Sequence, residues 1–580
     1  MNIPRAEHPR TQMRRDKWIN LNGVWQFEID YGDSGRAQGI LERELKRRIT
    51  VPFCPESELS GIGERDFMPS VWYRCAFTLP DDWQGQRVLL HFGAVDYLCE
   101  AFLNGQSAGT HRGGYSSFEF ELTSLLKPGE NILVVNARDD LRSGRQPDGK
   151  QSSKYASYGC FYTRTTGIWQ TVWLECLPDT ALREVAYEPD VDNGCVYVRA
   201  LLDGDTDGVD MRVETFYEGR PTGAVTVKAS SVARACVKLD VLKLWELGKG
   251  RLYDTRITLL RGDQKLDCVD GYFGMRKLEL KRDGLYINDR PVFMRLVLDQ
   301  GFYPDGIYTA PGDAALLGDI QLAMAMGFNG ARLHEKVFEP RFLYWADRMG
   351  YMVWGEFPNW GVDISNPGIL AAYQDEWLEA VRRDMSHPSI VGWCPFNETW
   401  DYDGRRQCDD TLRSIYLMTK ALDPTRPVID TSGNYHVITD IYDVHDYEQR
   451  ADVFAQHYAP MADGGEVYES HKGRQSYGGQ PYFVSEYGGI WAPADGEWQR
   501  DDGASWGYGQ RPGSEEEFIE RYDALTTALL NNPHICGFCY TQLYDVEQEQ
   551  NGLYTYARKP KFDAGIIRGI NARRAAMERQ

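Results

Sequence analysis

The sequence predicts a multidomain chain, two β-sandwiches followed by a (β/α)8 barrel, from three observations. Its 580 residues exceed what one hydrophobic core organises, so several domains are expected. Up to about residue 275, apolar and polar residues alternate over short runs separated by turn residues, as in antiparallel strands. Beyond that point, short apolar runs alternate with amphipathic stretches, which is the βα pattern of a parallel sheet or barrel.

The first two parts are predicted to be all-β. Residues 1–178 contain alternating runs such as 23–29 and suit a jelly-roll-like sandwich. Residues 179–275 continue the alternation over a length that suits an immunoglobulin-like sandwich. The polar stretch 140–163 interrupts the first sandwich and is predicted to be a long loop, which in a compact domain is usually functional or disordered.

The third part, residues 276–580, is predicted to be a catalytic TIM barrel. Eight strand candidates can be counted in it: 292–298, 327–333, 351–355, 390–396, 427–431, 440–444, 482–486 and 535–541. Active sites of such barrels lie at the carboxyl ends of the strands. The residues that follow these runs are therefore the first candidates for function.

Charge and composition argue against two kinds of partner. A net charge of −21 disfavours nucleic acid, whose phosphates would be repelled. No segment approaches the roughly 18 uninterrupted apolar residues of a membrane span. The N-terminus lacks an apolar signal core and the 12 cysteines fit no disulfide framework, so we expect a cytoplasmic location.

Two glutamates stand where predicted strands 4 and 7 end. Glu398 closes the run 393–398, and Glu486 closes an apolar run that begins at residue 481. Cleavage of a glycosidic bond requires such a pair, because one carboxyl protonates the leaving oxygen while the other attacks the anomeric carbon or activates water. Across a barrel mouth the two can lie roughly 5 Å apart, the spacing of retaining enzymes.

These residues predict a glycoside hydrolase. One carboxyl must stay protonated near neutrality, and we expect burial and the partner's charge to raise its pKa. On chemistry alone, either glutamate could be the acid.

Several motifs, in this order, resemble glycoside hydrolase family 2, the family of β-galactosidases, β-glucuronidases and β-mannosidases. They are the Asn-Glu pair at 397–398, the glutamate at 486, the stretch 383–390 before strand 4, the stretch 327–332 around strand 2, and 165–170 at the end of the first sandwich. The resemblance covers nearly the whole chain. It implies that Glu398 is the acid/base and Glu486 the nucleophile, with no cofactor or metal required.

The same resemblance implies a set of carbohydrate-binding residues. Asn397 would donate to the sugar 2-hydroxyl, and Arg332 would sit beside the nucleophile and keep it ionised. The other candidates follow strands 1, 2, 6 and 8, each with an alternative role in barrel packing: Asp299, His334, His445, Tyr447 and Tyr540.

Departures from the family pattern bear on the substrate. Family β-glucuronidases bind the uronate through an Asn-x-Lys motif, which occurs nowhere in this chain, although Arg558, Lys559 and Lys561 lie in the corresponding stretch. We therefore expect a retaining, exo-acting, β-galactosidase-like enzyme for a galactoside or related arabinoside, with a β-glucuronidase or galacturonidase as the alternative. Closure of the site by the loop 140–163 would favour chain ends.

The sequence leaves further questions of activity and assembly open. A non-catalytic carbohydrate-binding protein on a dead barrel is disfavoured, since a binding module has no need of a paired acid and nucleophile. The residues do not separate hydrolysis from transglycosylation or a pyranose from a furanose. Assembly into a homo-oligomer is also left open, because relatives are commonly dimers or tetramers.

Overall fold

The computed structural model describes residues 3–401, 403–499 and 503–579. Antiparallel sheets occupy the first part of the chain and a parallel barrel the last, which confirms the predicted fold class. The predicted domain boundaries at residues 178 and 275 stay a prediction. Among the described residues, no helix combines the length and the apolar character that crossing a bilayer requires.

The N-terminal sandwich packs its sheets around one apolar core. Its six-stranded sheet has the spatial order Arg47–Val51, Gly23–Ile29, Ser70–Thr78, Glu130–Arg138, Leu98–Leu103 and Gln106–Arg112. Its four-stranded sheet has the order Trp18–Asn20, Val172–Leu177, Arg87–Phe92 and Phe118–Glu121, and a short ladder joins Gly167–Ile168 to Val95–Asp96. Alternation decides what is buried: Trp25 and Phe27 face the core, whereas Val24 is exposed.

A second sandwich follows, with a separate core. Three strands form one sheet, in the order Ala181–Asp190, Cys195–Asp203 and Val232–Lys238. Four form the other, in the order Arg220–Lys228, Val209–Tyr217, Tyr253–Arg261 and Gln264–Phe273. Sheets of three and four antiparallel strands are the arrangement of a constant-type immunoglobulin sandwich.

A barrel of parallel strands completes the chain, after a small antiparallel sheet of Leu278–Lys281, Gly284–Ile287 and Arg290–Val292. Barrel strands 1 to 8 are, in chain order, Met294–Asp299, Gly330–Leu333, Met352–Glu356, Ile390–Cys394 with its continuation Phe396–Asn397, Thr431–Ser432, Tyr442–Asp446, Tyr482–Gly488 and Ile535–Thr541. Their spatial order is 4-3-2-1-8-7-6. Strand 5 completes the ring by pairing with Phe396–Asn397 and through a bridge from Val428 to Trp393.

Helices surround this barrel. In the described residues the α-helices are Asp313–Ala325, Pro340–Met349, Leu370–Asp384, Asp409–Leu422, Ala451–Ala462, Glu515–Leu530 and Ala564–Asn571. The helix Glu515–Leu530 shows why they form. The Ser514 side chain accepts from the backbone N of Glu517 at 3.3 Å, and three acidic residues occupy the first turn, where the helix dipole favours them.

Three predicted barrel strands need correction. Strand 4 is interrupted at Pro395, which has no N–H to donate to a ladder. Strand 5, predicted at 427–431, is reduced to Thr431–Ser432 plus an isolated bridge. Strand 7 does not end at Glu486 but continues to Gly488, because Tyr487 and Gly488 still pair with strand 8.

The predicted loop 140–163 lies on the carboxyl-end mouth of the barrel. The backbone N atoms of Asp148 and Gly149 donate to the Trp360 carbonyl at 2.7 and 3.1 Å. The Tyr162 hydroxyl donates to Glu549 at 2.5 Å. Tyr162 is also part of the barrel's apolar core cluster, so the first sandwich and the barrel are packed together.

Candidate active site

Glu398 follows directly on the last residue of strand 4. Its backbone N donates to the Ser432 carbonyl on strand 5 at 2.9 Å, which fixes the chain at this point. Its φ of 44° lies in the left-handed region, which residues other than glycine rarely adopt. Such backbone outliers cluster at functional sites. The side chain is 23% exposed and reaches the mouth.

Glu486 lies inside strand 7 and is held from two sides. The Arg332 guanidinium on strand 2 donates to one of its carboxylate oxygens at 2.9 Å. The Tyr447 hydroxyl, just beyond strand 6, donates to the other oxygen. Tyr447 is itself stacked on Tyr508, with ring centroids 3.6 Å apart. Glu486 is therefore a buried, oriented carboxylate.

His445 bridges the two glutamates. Its Nδ1 lies 2.6 Å from a Glu398 oxygen, and its Nε2 lies 3.4 Å from a Glu486 oxygen. The pairing of strands 6 and 7 shifts register between Val444 and His445, and bulges of this kind re-aim a side chain. One oxygen of each glutamate and a His445 nitrogen all lie within 4.8 Å of one another.

The protonation of this pair differs from the sequence prediction. Burial alone would raise the pKa of Glu398, but the His445 hydrogen bond and charge, with Lys150 and Arg332, outweigh burial and hold that pKa below its usual value. Burial alone would lower the pKa of His445, but Glu486 and Glu398 raise it. The expected raised carboxyl pKa is therefore wrong for Glu398, and the pair keeps its proton on His445.

Arg332 also binds a third carboxylate. Its Nε donates to Glu356, at the end of strand 3, at 2.5 Å. The other Glu356 oxygen lies 2.9 Å from Nδ1 of His334. Burial, with the nearby Lys150 charge, lowers the pKa of His334 well below its usual value, so the ring is neutral and donates to Glu356. The arrangement fixes Arg332 beside Glu486.

Asn397 presents an amide donor at the mouth. Its Oδ1 accepts from Nη2 of Arg332 at 3.1 Å, and its backbone N donates to Asn359 at 2.6 Å. The Trp360 indole donates to its carbonyl at 3.1 Å. With these contacts made, its Nδ2 is left without a partner among the described residues.

Two of the predicted sugar contacts are not brought to this cluster. Asp299 is buried, and its carboxylate accepts from the Tyr544 hydroxyl at 2.5 Å and from the Gly301 backbone N at 3.0 Å. Tyr540 is also fully buried, but it packs outward against Tyr522 of helix Glu515–Leu530, with centroids 4.8 Å apart. Side chains alternate along strand 8, so its neighbour Thr541 takes the inward position and contacts Tyr447 at 3.1 Å.

The structure adds residues that sequence reasoning did not select. Lys150 reaches the mouth from the loop of the first sandwich, and Tyr508 and Glu549 reach it from segments after strands 7 and 8. The length and polarity of the loop marked it as functional, but no local signal marked Lys150. Glu549 lies in an acidic stretch whose pattern fits an ordinary solvated turn equally well.

A cleft opens beside Glu398, between the loop and the barrel. Its volume is 540 Å³, a size that suits a small ligand. Aromatic rings line one wall, with Phe161 and Trp360 centroids 5.3 Å apart and Trp400 half-exposed at the rim. A planar or sugar-like group bound beside Glu398 would find apolar faces there.

Family models match the N-terminal sandwich and the barrel. The sugar binding domain of the family 2 glycosyl hydrolases matches residues 19–174, and the TIM barrel domain of the same family matches residues 278–569. The second match alone covers half of the chain. This chain belongs to glycoside hydrolase family 2. It is a glycosidase, as its paired glutamates predicted.

Relatives of this chain in family 2 include proteins named β-glucuronidase and proteins named β-galactosidase. A β-glucuronidase of Paenibacillus borealis is 24% identical over 443 residues, which are 70% of this chain and 72% of that protein. A β-galactosidase of Thermoanaerobacter pseudethanolicus is 26% identical over 450 residues, 74% of this chain and 55% of that protein. Among solved structures, a Ruminococcus gnavus β-glucuronidase superposes with a TM-score of 0.81 at 17% identity, covering 99% of both chains.

Proposed function

We propose that this glycosidase works by double displacement with retention, with Glu398 as general acid/base and Glu486 as nucleophile. The observation that carries the proposal is the approach of the two carboxylates to within 4.8 Å across the mouth. Retaining glycosidases hold their carboxyl groups about 5–5.5 Å apart, whereas inverting enzymes leave about 6.5–9.5 Å for a water.

The neighbours of Glu486 support its role. Attack on the anomeric carbon needs an ionised, oriented carboxylate, and Arg332 and Tyr447 each donate to one oxygen of Glu486. When Glu486 bonds to the sugar, its carboxylate loses its negative charge, so the hydrogen bonds from Arg332 and Tyr447 become weaker. These two donors therefore stabilise the covalent intermediate less than they stabilise the free carboxylate. The amide donor of Asn397 is available to the sugar 2-hydroxyl, where hydrogen bonding strengthens in the transition state.

The neighbours of Glu398 support the second role. Glu398 can take the proton held on His445, 2.6 Å away, and pass it to the leaving oxygen as the glycosidic bond breaks and charge develops there. The ionised form of Glu398 is then the base that activates water in the second step. The aromatic cleft beside Glu398 suits the leaving group.

The loop 140–163 covers part of the barrel mouth, which supports action on the ends of sugar chains. The loop 140–163 is fastened to the barrel through Tyr162 and the Trp360 carbonyl, which blocks one side of the site. An internal sugar of a polysaccharide carries chain on both sides, and one side would run into this loop. A terminal sugar needs only to enter from the cleft.

For the substrate, a β-glucuronide is the first candidate. It is supported by the names of relatives such as the Paenibacillus and Streptococcus agalactiae β-glucuronidases, the latter 22% identical over 82% of this chain. A β-galactoside is the second candidate, favoured by the missing Asn-x-Lys motif and by relatives named β-galactosidase. The galactoside preference expected from the sequence is thus less well supported than its alternative, a preference for β-glucuronides.

A panel of nitrophenyl glycosides tests the proposal. We expect one glycoside to be cleaved far faster than the rest, from a set of β-glucuronide, β-galacturonide, β-galactopyranoside, β-galactofuranoside, β-mannoside, α-arabinopyranoside and α-arabinofuranoside. Proton NMR of the first-formed sugar should show the anomer of the substrate before mutarotation. The opposite anomer would contradict retention, and random internal cuts in an oligosaccharide would contradict exo action.

The His445–Glu398 pair predicts a specific pH dependence. Because the pKa of His445 is raised, the pair keeps its proton until the pH rises through that raised value, so the alkaline limb of kcat/KM should lie above about 6.5, the ordinary pKa of histidine. In His445→Asn the proton has to be held by Glu398, whose pKa is raised by burial and lowered by Lys150 and Arg332. We expect the limb to move, because the group that then titrates is a carboxyl and no longer an imidazole.

The control for this pH experiment is His457→Asn. His457 pairs with Asp446 at 2.8 Å on the outer side of strand 6, and its loss should leave the pH limb in place. Thermal unfolding of both variants separates a shifted limb from a destabilised protein. If the alkaline limb does not move in His445→Asn, the proton that titrates in this limb does not belong to the His445–Glu398 pair.

A further inference from the structure

One buried cation enters the barrel mouth from outside the barrel. Lys150 belongs to the loop of the first sandwich and is 6% exposed. Its carbonyl accepts from the Tyr162 backbone N at 2.7 Å, which fixes its backbone. Within residues 3–401, 403–499 and 503–579, its ammonium makes no hydrogen bond and no ion pair, and it lies 5.2 Å from the centre of the Trp360 ring.

The backbone next to Lys150 is fitted closely to the barrel. Gly149 has a φ of +57°, and a Cβ there would lie 2.5 Å from the Glu335 carbonyl. Only glycine allows the loop to approach so near. The Lys150 side chain therefore enters the mouth from a fixed point on the loop.

The charges around Lys150 keep it protonated. Burial would lower its pKa, but Cys160, Glu549, Glu486 and Glu398 together outweigh burial and raise it. The lysine is thus a cation near enough to Glu398 and Glu486 to feel their charges. A buried charge without a hydrogen-bonded partner is unfavourable unless a ligand supplies one.

Four other cations on the barrel strands and the segments that follow them, all among the described residues, already have partners. Arg332 binds Glu356 and Glu486. The remaining ones are engaged as follows: Lys336 with the Gly301 and Tyr308 carbonyls, Arg558 with Asp319, and Lys561 with Asp545. The last two lie in the stretch after strand 8 that corresponds to the uronate-binding motif of family β-glucuronidases, and their charges are already balanced by these aspartates.

We propose that Lys150 binds the carboxylate of a terminal hexuronic acid and so selects uronides over neutral hexosides. This inference rests on the proposed function, because it assumes a sugar whose anomeric carbon lies between Glu398 and Glu486. The ammonium offers three donors and a full charge to a carboxylate, and a desolvated site strengthens that contact. A hydroxymethyl group in the same place would leave the charge unbalanced. Recognition then comes from the sandwich, while the chemistry comes from the barrel.

The test compares two matched pairs of nitrophenyl substrates: β-glucuronide with β-glucoside, and β-galacturonide with β-galactoside. In Lys150→Met, kcat/KM for the preferred uronide should fall by about 10²- to 10³-fold, as when one partner of a buried charge pair is removed. The rate on the matching hexoside should fall much less, because there Lys150→Met removes only the influence of Lys150 on the pKa of Glu398, so the ratio of the two kcat/KM values should drop. Lys150→Arg, which keeps the charge, should retain more uronide activity than Lys150→Met.

The control is Lys154→Met. Lys154 lies in the same loop, but it is exposed and stacks on Tyr158 at 3.8 Å, so both rates should be unchanged. A binding readout that does not depend on turnover is thermal unfolding with free D-glucuronate or D-galacturonate. One of these acids should raise the Tm of the wild type and of Lys154→Met, but not that of Lys150→Met.

Each contrary outcome overturns the inference. An equal loss on uronide and hexoside would mean that Lys150 serves the catalytic glutamates and not the substrate. A wild type that cleaves hexosides but no uronide would refute the uronate, while leaving retaining glycosidase action in place. A wild type that cleaves none of the four substrates, nor any glycoside of the larger panel, would remove the proposed function and this inference with it.

Discussion

Glu486→Ala is expected to lower kcat by about 10⁴- to 10⁶-fold, the range that removal of a reacting group or its essential partner produces. In the proposed mechanism this carboxylate forms the covalent bond to the sugar, and no neighbouring group among the described residues is placed to replace it. His445 is 3.4 Å from the same oxygen but is needed beside Glu398, and Glu356 is held by Arg332 and His334. The measurement is kcat on the preferred nitrophenyl glycoside.

Azide distinguishes a lost nucleophile from a damaged fold. In Glu486→Ala the space left by the carboxylate admits azide, which should restore turnover and give a glycosyl azide of inverted configuration. The protein should remain folded, because Arg332 keeps its ion pair with Glu356 at 2.5 Å. Glu448→Ala is the matched control, since Glu448 lies next to Tyr447 but pairs with the exposed Arg450.

A variant of Glu486 that keeps a tenth of the wild-type rate would assign the nucleophile elsewhere. So would azide rescue with a product of unchanged configuration. Either result would leave the fold and the family untouched, because these rest on the whole chain and not on one carboxylate.

The position of the two glutamates could be predicted because of how barrels are built. Parallel strands present their carboxyl ends at one mouth of the barrel. Glu398 and Glu486 end two of the apolar runs, so they were predicted to lie close together although 88 positions separate them in the sequence. The family resemblance selected Arg332 and Asn397, the strand-end rule selected His334, His445 and Tyr447, and the structure brings all five to the glutamates. Strand ends thus carry most of the site.

Tyr540 shows where this rule stops. Strand 8 reads Ile-Cys-Gly-Phe-Cys-Tyr-Thr and is buried along its full length, so no alternation of apolar and polar residues reveals which face points inward. Pairing with strands 1 and 7 decides that Thr541 faces the mouth and Tyr540 faces the helices. A choice by residue type alone selects the aromatic ring and not the threonine.

Lys150 and the proton on His445 were beyond prediction for a different reason. Lys150 meets residues more than two hundred positions away, and only the packing of sandwich on barrel brings it to the mouth. The pKa of Glu398 depends on a nitrogen 2.6 Å from its oxygen, a distance that the sequence does not encode locally. Burial and charge act in opposite directions on Glu398, so its pKa follows from geometry and not from residue type.

Glu398→Ala is expected to have the second large effect, and its size should depend on the leaving group. For a poor leaving group such as an alkyl alcohol, loss of the general acid should lower kcat/KM by about 10²- to 10⁴-fold. For 2,4-dinitrophenolate, which departs without a proton, kcat/KM should change little. Comparing the two substrates in one variant controls for any disturbance of binding or folding.

The second half of the reaction gives Glu398→Ala its distinctive signature. With the good leaving group the glycosyl-enzyme forms but lacks the base that activates water, so it should accumulate, lowering kcat and KM together. Azide needs no base, so it should raise kcat and give a glycosyl azide of retained configuration, opposite to that from Glu486→Ala. The alkaline limb of the pH profile should also disappear, because the proton on His445 then has no carboxylate to reach. If alkyl and dinitrophenyl substrates lost rate equally, Glu398 would be only a binding group, and the acid would have to be another residue of the mouth.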